Sequence, residues 1–316
     1  MPHRASALLA VALAAATGLP TTAATSGPSV GHQPEASIRG TFPGSNGRIV
    51  FTRARKDSLV AQVATSEPDG SDLQVLTHFR HGTQQPTWSA DGARIVFLGL
   101  TQHPTGELVP GDIWLMDADG SGLERLTHSP GVELQPSFSP DGSRILFELR
   151  GNLYVKHVDG GDRTRITETG EQGTYPTWSP DGSLIAYARV DDNRTWFDIF
   201  TIRPDGTGLT AVTDRTGTDV DPSWSPDGSQ IVFQRGKDIA VVDADGTDLT
   251  KLTRTERRFE LSPAWSPDGS RIVFSSGPSA FDLIIVRMAA DGSRRTAVFP
   301  GTNHWFDWPD WQPLPA

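Results

Sequence analysis

His78 and His81, three residues apart, are the closest the sequence comes to a metal-ligand pair. Histidine nitrogens at that spacing hold a divalent cation when a carboxylate completes the set. No carboxylate adjoins them and the segment has the character of a loop, so a solvated pair is expected. Asp117-Ala118-Asp119-Gly120 and Asp243-Ala244-Asp245-Gly246 have the acid density of a calcium loop but not its third ligand or closing Glu; each Asp is expected to accept from its own turn. No Gly-x-Ser-x-Gly elbow between a strand and a helix (Gly27-Pro-Ser29-Val-Gly31 has the spacing but lies in the Gly/Pro/Ser-rich segment 25–45), no phosphate loop and no His-Glu-x-x-His motif occurs, and cysteine is absent. The readable nucleophile, thiolate-metal and disulfide chemistries therefore lose their support. Carboxylate pairs facing each other across a channel leave no mark in sequence spacing. No catalytic residue, no resident cofactor and no metal ligand is expected; a divalent cation enters only as a ligand of acidic groups gathered at a channel mouth.

The elements that must position any such groups are set by repetition, which decides the fold. Pro86-Thr-Trp88-Ser-Ala-Asp91-Gly92 returns as Pro136-Ser-Phe138-Ser-Pro-Asp141-Gly142 and as Pro176-Thr-Trp178-Ser-Pro-Asp181-Gly182. It recurs in Pro222-Ser-Trp224-Ser-Pro-Asp227-Gly228 and Pro263-Ala-Trp265-Ser-Pro-Asp268-Gly269. With Trp311 the aromatic position steps by 50, 40, 46, 41 and 46 residues, the period of a four-stranded propeller blade (~40–45 residues) with some loops lengthened. After each aromatic, proline and glycine specify a tight turn. A second strand follows, as in Arg94-Ile-Val-Phe97, and a third opens at Asp112, Asn152, Asp198, Asp238 or Asp282. A fourth ends on Leu126-Thr127, Ile166-Thr167, Val212-Thr213 or Leu252-Thr253. These are β-branched and aromatic runs with no sustained helical period. The 32 Gly and 24 Pro in 316 residues supply the turns that so many short strands need.

The two ends complete the count. Residues 46 to 77 hold a second, third and fourth strand without a first, and Pro309-Asp-Trp311-Gln-Pro313 is a first strand alone. The expected fold is all-β, a six-bladed β-propeller over residues 46–316 closed by a blade shared between the N- and C-termini, which removes the free edge. The aromatic positions are expected to pack blade on blade. Residues 25–45, rich in Gly, Pro and Ser, read as a flexible leader. Residues 1–24 place Arg4 ahead of an apolar run from Ala5 to Ala16 and a small-residue exit, the pattern of a secretory signal peptide. That run is too short for the ~20 residues that span a bilayer. The chain is expected to be exported, secreted or held in the periplasm or cell envelope, a monomer without stable membrane insertion. Its net charge of −10 gives no purchase on a phosphate backbone, so nucleic acid is not an expected partner.

Repeats of Pro-x-Trp-Ser-Pro-Asp-Gly, then Ile-Val/Ala-Phe, then Asp-Ile, Asp-Gly and Leu-Thr resemble the TolB-type six-bladed propeller. Similar blades occur in the non-catalytic propellers of prolyl-oligopeptidase-like and tricorn-like peptidases. The resemblance covers residues 46 to 313 and implies the fold closely and the function loosely. TolB proper carries an α/β domain ahead of its propeller, and the peptidases a hydrolase domain; neither is expected here. The last blade also departs from the pattern, with Val298-Phe299-Pro300 in place of Leu-Thr.

By connectivity the segments 78–85, 128–135, 168–175, 214–221, 254–262 and 300–308 all end at one mouth of the central channel. Two longer loops, 98–111 and 188–197, add bulk on that side, including Trp196 and Phe197. These are the least repetitive parts of the repeat, and loops on a rigid scaffold are where binding concentrates. Glu133, Asp219, Asp221, Glu260 and Asp307 fall within three residues of an innermost strand's start, so carboxylates from four blades are expected at the mouth, focusing a field that attracts a cationic peptide loop or a divalent cation. Gln85, Gln135 and Tyr175 occupy matching places as hydrogen-bonding groups, and His304 lies in the last blade's loop. The expected function is binding of a protein partner through this face. One rival is a lyase acting on a uronate polysaccharide, as some related propellers do, with His81, His304, Arg257 and Arg258 as its candidate residues; another is a small-ligand sensor. The export reading is testable: Asp in place of Leu8, Leu9, Val11 and Leu13 should leave the chain in the cytoplasm at its full precursor mass, whereas the parent leaves the cell interior shortened by about two dozen residues.

Overall fold

The computed structural model describes residues 44–58, 60–103, 108–129, 131–168, 172–190, 196–214, 217–279 and 282–315. The signal peptide at 1–24, nearly all of the leader at 25–45, and Glu171 lie outside them. Six antiparallel four-stranded sheets form a ring. The first blade joins β24 (His304–Leu314) to β1 (Ser45–Arg55), β2 (Gln62–Ser66) and β3 (Gln74–Val75). The second runs outward through β4 (Thr83–Trp88), β5 (Arg94–Gln102), β6 (Leu108–Asp117) and β7 (Glu124–Arg125). The third is β8 (Glu133–Phe138), β9 (Arg144–Leu149), β10 (Asn152–His157) and β11 (Thr164–Arg165), and the fourth is β12 (Gly173–Trp178), β13 (Ile185–Val190), β14 (Phe197–Ile202) and β15 (Thr210–Ala211). The fifth is β16 (Asp219–Trp224), β17 (Gln230–Arg235), β18 (Asp238–Asp243) and β19 (Thr250–Lys251), and the sixth is β20 (Phe259–Trp265), β21 (Arg271–Gly277), β22 (Ile284–Ala289) and β23 (Thr296–Ala297). None of the described residues is helical.

The repeated residues do repeated jobs. In each Ser-x-Asp-Gly turn the serine hydroxyl donates to the aspartate, 2.6 Å from Ser89 Oγ to Asp91 Oδ1, and accepts from the N–H of Arg94 at 2.9 Å. The same pair of bonds recurs at Ser139, Ser179, Ser225 and Ser266. The glycine closes the turn at positive φ, 67° at Gly92, which L residues adopt only under strain. The threonine after the fourth strand receives the N–H of a third-strand residue: Val63 to Thr77, Ile113 to Thr127, Leu153 to Thr167, Ile199 to Thr213 and Ile239 to Thr253, at 2.8–3.0 Å. In the sixth blade Phe299 replaces that threonine and packs instead on Phe306 and Phe51, with ring centroids 4.6 and 5.2 Å apart.

Cohesion between blades is apolar. Trp88 and Phe97 of the second blade pack with Val50 and Val63 of the first, and Trp224 and Ile231 of the fifth with Ala188 and Ile199 of the fourth. The indole N–H of Trp88, Trp178, Trp224, Trp265 and Trp311 is buried without an acceptor, so Phe138 fills the same place in the third blade with no hydrogen bond lost.

Two expectations need correction. The fourth strands are only two residues long and stop before the Leu-Thr pair, because each pairs with just two residues of its neighbour. The described residues of the segments 98–111 and 188–197 are mostly strand, 104–107 and 191–195 lying outside them: β5 and β6 continue their ladder through Leu100↔Pro110, Thr101↔Val109 and Gln102↔Leu108, and β13 meets β14 at Val190↔Phe197. Closure between the termini is as expected, with β24 pairing along β1 from Ser45↔Leu314 to Arg55↔His304. Deleting residues 308–316 would strip most of that strand and empty the site of Trp311, a buried side chain whose truncation alone costs about 3–5 kcal/mol out of a usual ~5–15 kcal/mol. The truncated chain is expected to aggregate or melt well below the parent in a thermal scan; equal stability as a monomer would contradict a terminus-closed ring.

Candidate channel site

Every innermost strand is interrupted at one place. Gln85, Gln135, Tyr175, Asp221, Ser262 and Trp308 each precede a proline and each adopt φ between 50° and 58°. Proline pushes the preceding residue out of the right-handed helical region, and the left-handed well costs a residue with a Cβ roughly 1–2 kcal/mol. At each of these points the ladder slips, as between Gln84 and Thr87 or between Val220 and Ser223, a bulge that re-aims one side chain. The six side chains line a cavity of about 140 Å³ on the ring axis.

The bulges are tied blade to blade. The N–H of Gln135 donates to Gln85 Oε1 and that of Tyr175 to Gln135 Oε1, both at 2.9 Å. Ser262 Oγ stands 3.1 Å from Asp221 Oδ2 and 3.5 Å from Asp307 Oδ1, so two carboxylates from different blades compete for one hydroxyl proton. Burial, then the charge of Asp307, pushes Asp221 up to about 7. Burial pushes Asp307 up to about 6 against the hydroxyls and N–H groups around it. Burial raises the Tyr175 phenol as well, followed by the charges of Asp221, Glu148 and Asp307. Asp310 also lines the cavity and ties the first blade to the second, accepting from Thr87 Oγ1 at 2.7 Å and from the N–H of Trp88 at 2.9 Å.

The remaining acids expected at the mouth are spent inside the blades. Glu133 is fully buried, receives the Thr127 hydroxyl and faces Arg163 at 3.9 Å; burial is the main reason its carboxyl is raised. Asp219 is gripped by Arg235 through two bonds of 2.9 and 2.5 Å, and Glu260 is bound by Arg295. Arg163, Arg235 and Arg295 each lie 5.4 Å above an aromatic ring, of Tyr154, Phe233 and Phe274. The expected field of carboxylates at the mouth is thus corrected: a carboxylate two residues before the bulge enters the seam between sheets, where a lone charge is too costly and an arginine neutralises it. His304 is half-buried, with Nε2 2.7 Å from Arg53 Nη2.

Ser262 and Trp308 are channel residues that charge counting passes over; the signal that finds them is their place before the proline of the repeat. On the loop face Lys237, Arg254 and Arg257 are exposed, with Lys237 Nζ 4.9 Å from the ring centroid of Phe259, which is itself 37% exposed. Arg258 is held by Ser276, and His81, Arg258 and His304 sit in three separate connections between blades. Among the described residues no three His, Asp or Glu side chains are grouped to hold a metal.

A closed ring of six blades with a polar, blade-linked channel defines the chain as a six-bladed β-propeller. Residues 98–238, a little under half of the chain, match the family described as PD40, the TolB beta propeller domain. Among solved structures it is similar to TolB from Acinetobacter baumannii (22% identity, TM-score 0.71, covering 87% of this chain and 68% of that one). It is similar to the hydrazine synthase of Kuenenia stuttgartiensis (18%, 0.67, 87% and 48%) and to a chain of a nidogen/laminin complex (10%, 0.67, 85% and 100%). At these identities the likeness is one of fold. No curated protein sequence is significantly similar to the chain.

The Asp221–Ser262–Asp307 contact gives a pH test. A carboxyl held above its unfolded value keeps its proton longer in the folded state, so its stabilising contribution is present at low pH and lost as pH rises through its folded value. Asp221→Asn removes that loss. Thermal melts of parent and variant should run close together near pH 4, the ordinary aspartate range, with the variant gaining on the parent as pH rises to about 7 and keeping that lead at pH 8.

Proposed function

We propose that the protein is an exported, monomeric binding scaffold that engages a protein partner of the cell envelope or exterior through the loop face and channel mouth of its propeller. One observation carries this reading: six like backbone bulges present five kinds of side chain, Gln85 and Gln135, Tyr175, Asp221, Ser262 and Trp308, to one opening. A purely structural ring would be satisfied by one residue type used six times, as the Ser-x-Asp-Gly turns are. Strained non-glycine residues that cluster around an opening are a recurring mark of ligand sites, and a rigid frame with varied side chains is how loops on scaffolds recognise partners. Shared shape with TolB and with a propeller found in a nidogen/laminin complex is consistent with protein binding. A catalytic role draws no support from the spread of His81, Arg258 and His304 over separate loops.

Partner capture tests the choice of face. With the purified chain as bait in envelope and culture fractions, exchanging Lys237, Arg254 and Arg257 for Glu should weaken capture by about tenfold or more, chiefly by slowing association at low salt. The same exchange of sign on the turn face, at Asp119 and Asp245 to Lys, should leave capture unchanged. The opposite pattern would move the binding site to the turn face.

A further inference from the structure

Three arginines reach from the loop face to a buried carboxylate, and Arg53 has none to reach. Arg163, Arg235 and Arg295 face Glu133, Asp219 and Glu260. Arg53, half-buried near the loop-face end of β1, meets only His304, and its Nε is buried with no partner. No carboxylate of the described residues pairs with it. The acids close by are already engaged: Asp57 holds Arg55 through two bonds of 3.0 Å, and Asp282 holds Lys56. In the connection that leads into β24, Thr302 also has a buried hydroxyl without a partner.

We propose that Arg53 and His304 form an anion site that seats a carboxylate from an acidic segment docking on the loop face. A guanidinium taken from water without a counter-charge is costly, and an incoming anion removes that cost. Nε with a proton of Nη2 is the side-on fork that fits the two oxygens of a carboxylate, once the docking segment uncovers Nε, which has no exposed surface in the free protein. His304 fits the role of a neutral neighbour: burial first, then the charges of Arg53 and Arg55, lower its affinity for a proton, with Asp57 opposing them. One fork beside a neutral imidazole matches a monoanion better than a phosphate dianion, which calls for more than one cation. The exposed Lys237, Arg254 and Arg257 add the same sign of charge on the sixth blade's side of the face, where Glu256 is the exposed acid among them; the segment seated at Arg53 is acidic, the reverse of the cationic partner that charge counting suggests. A bound carboxylate offsets Arg53 and Arg55 and lets His304 protonate more readily, so binding tightens as pH falls through the histidine range.

The site rests on the loop face being the docking side, and its test needs no partner. The purified chain is titrated with a blocked octapeptide of alternating Glu and Gly, its Gln counterpart, and inorganic phosphate, by calorimetry and by the His304 ring signals in NMR. The Glu peptide should bind, shift His304, and bind more tightly at pH 5.5 than at pH 8; Arg53→Gln should weaken it by about tenfold or more, while Arg258→Gln changes it little. Equal binding of the Gln peptide, equal binding to Arg53→Gln, or preference for phosphate would overturn the carboxylate site. In anion-poor buffer Arg53→Gln should melt no lower than the parent, since it loses an uncompensated charge; a fall of several degrees would make Arg53 a structural prop instead. If the peptide binds as stated but loop-face variants capture partners normally, only the choice of docking face fails.

Discussion

The antiparallel pairing of β24 with β1 brings the two ends of the chain into one sheet, and the channel depends on it. Six blades packed by side chains alone would form an open arc with an unpaired edge at each end, a template for aggregation. Closure also delivers chemistry. Asp307 and Trp308 reach the axis because β24 is innermost, and Asp310 binds the second blade at Thr87 and Trp88. The acid that competes with Asp221 for the Ser262 hydroxyl is therefore supplied by the last dozen residues of the chain.

The fold was legible because the same local chemistry is written out again in each blade. A serine that caps its own turn, a proline that presets it and a threonine that takes a third-strand N–H are short-range devices, and short-range devices show in spacing. The shared blade was legible for the same reason, as a repeat cut in two. The two-residue fourth strands were not, since the Leu-Thr pair marks the end of pairing rather than its extent. Nor was the continuation of β5 into β6, because Leu108, Val109 and Pro110 lack a clean alternation.

The site was legible in position and misleading in sign. Gln85, Gln135, Tyr175 and Asp221 lie at the channel as their places in the repeat suggest. Glu133, Asp219 and Glu260 are near in sequence yet face the seams between sheets, where each is matched by an arginine far along the chain or on the next strand. Charge counting treats all acids of a loop alike, whereas burial decides which of them a partner can sense. With those acids neutralised, what remains in solvent is mixed, Lys237, Arg254 and Arg257 alongside Glu168, Asp214 and Glu256, together with a guanidinium at Arg53 that has only an imidazole for company.

Pairing Ser45 with Leu314 also fixes a direction. Both residues lie at the end of the first blade where the Ser-x-Asp-Gly turns gather, and the N–H of Asp268 in one of those turns donates to Asn46. Gly44 and Pro315, the first and last described residues, thus lie on a single side of the ring, opposite the loops. A tether attached at either end holds the propeller as a stalk holds a dish, with its open bowl turned away from the point of attachment. A fusion joined at Gly44 or at Pro315 therefore starts on the side away from the channel mouth, and an insertion meant to block the mouth belongs in the connections between blades.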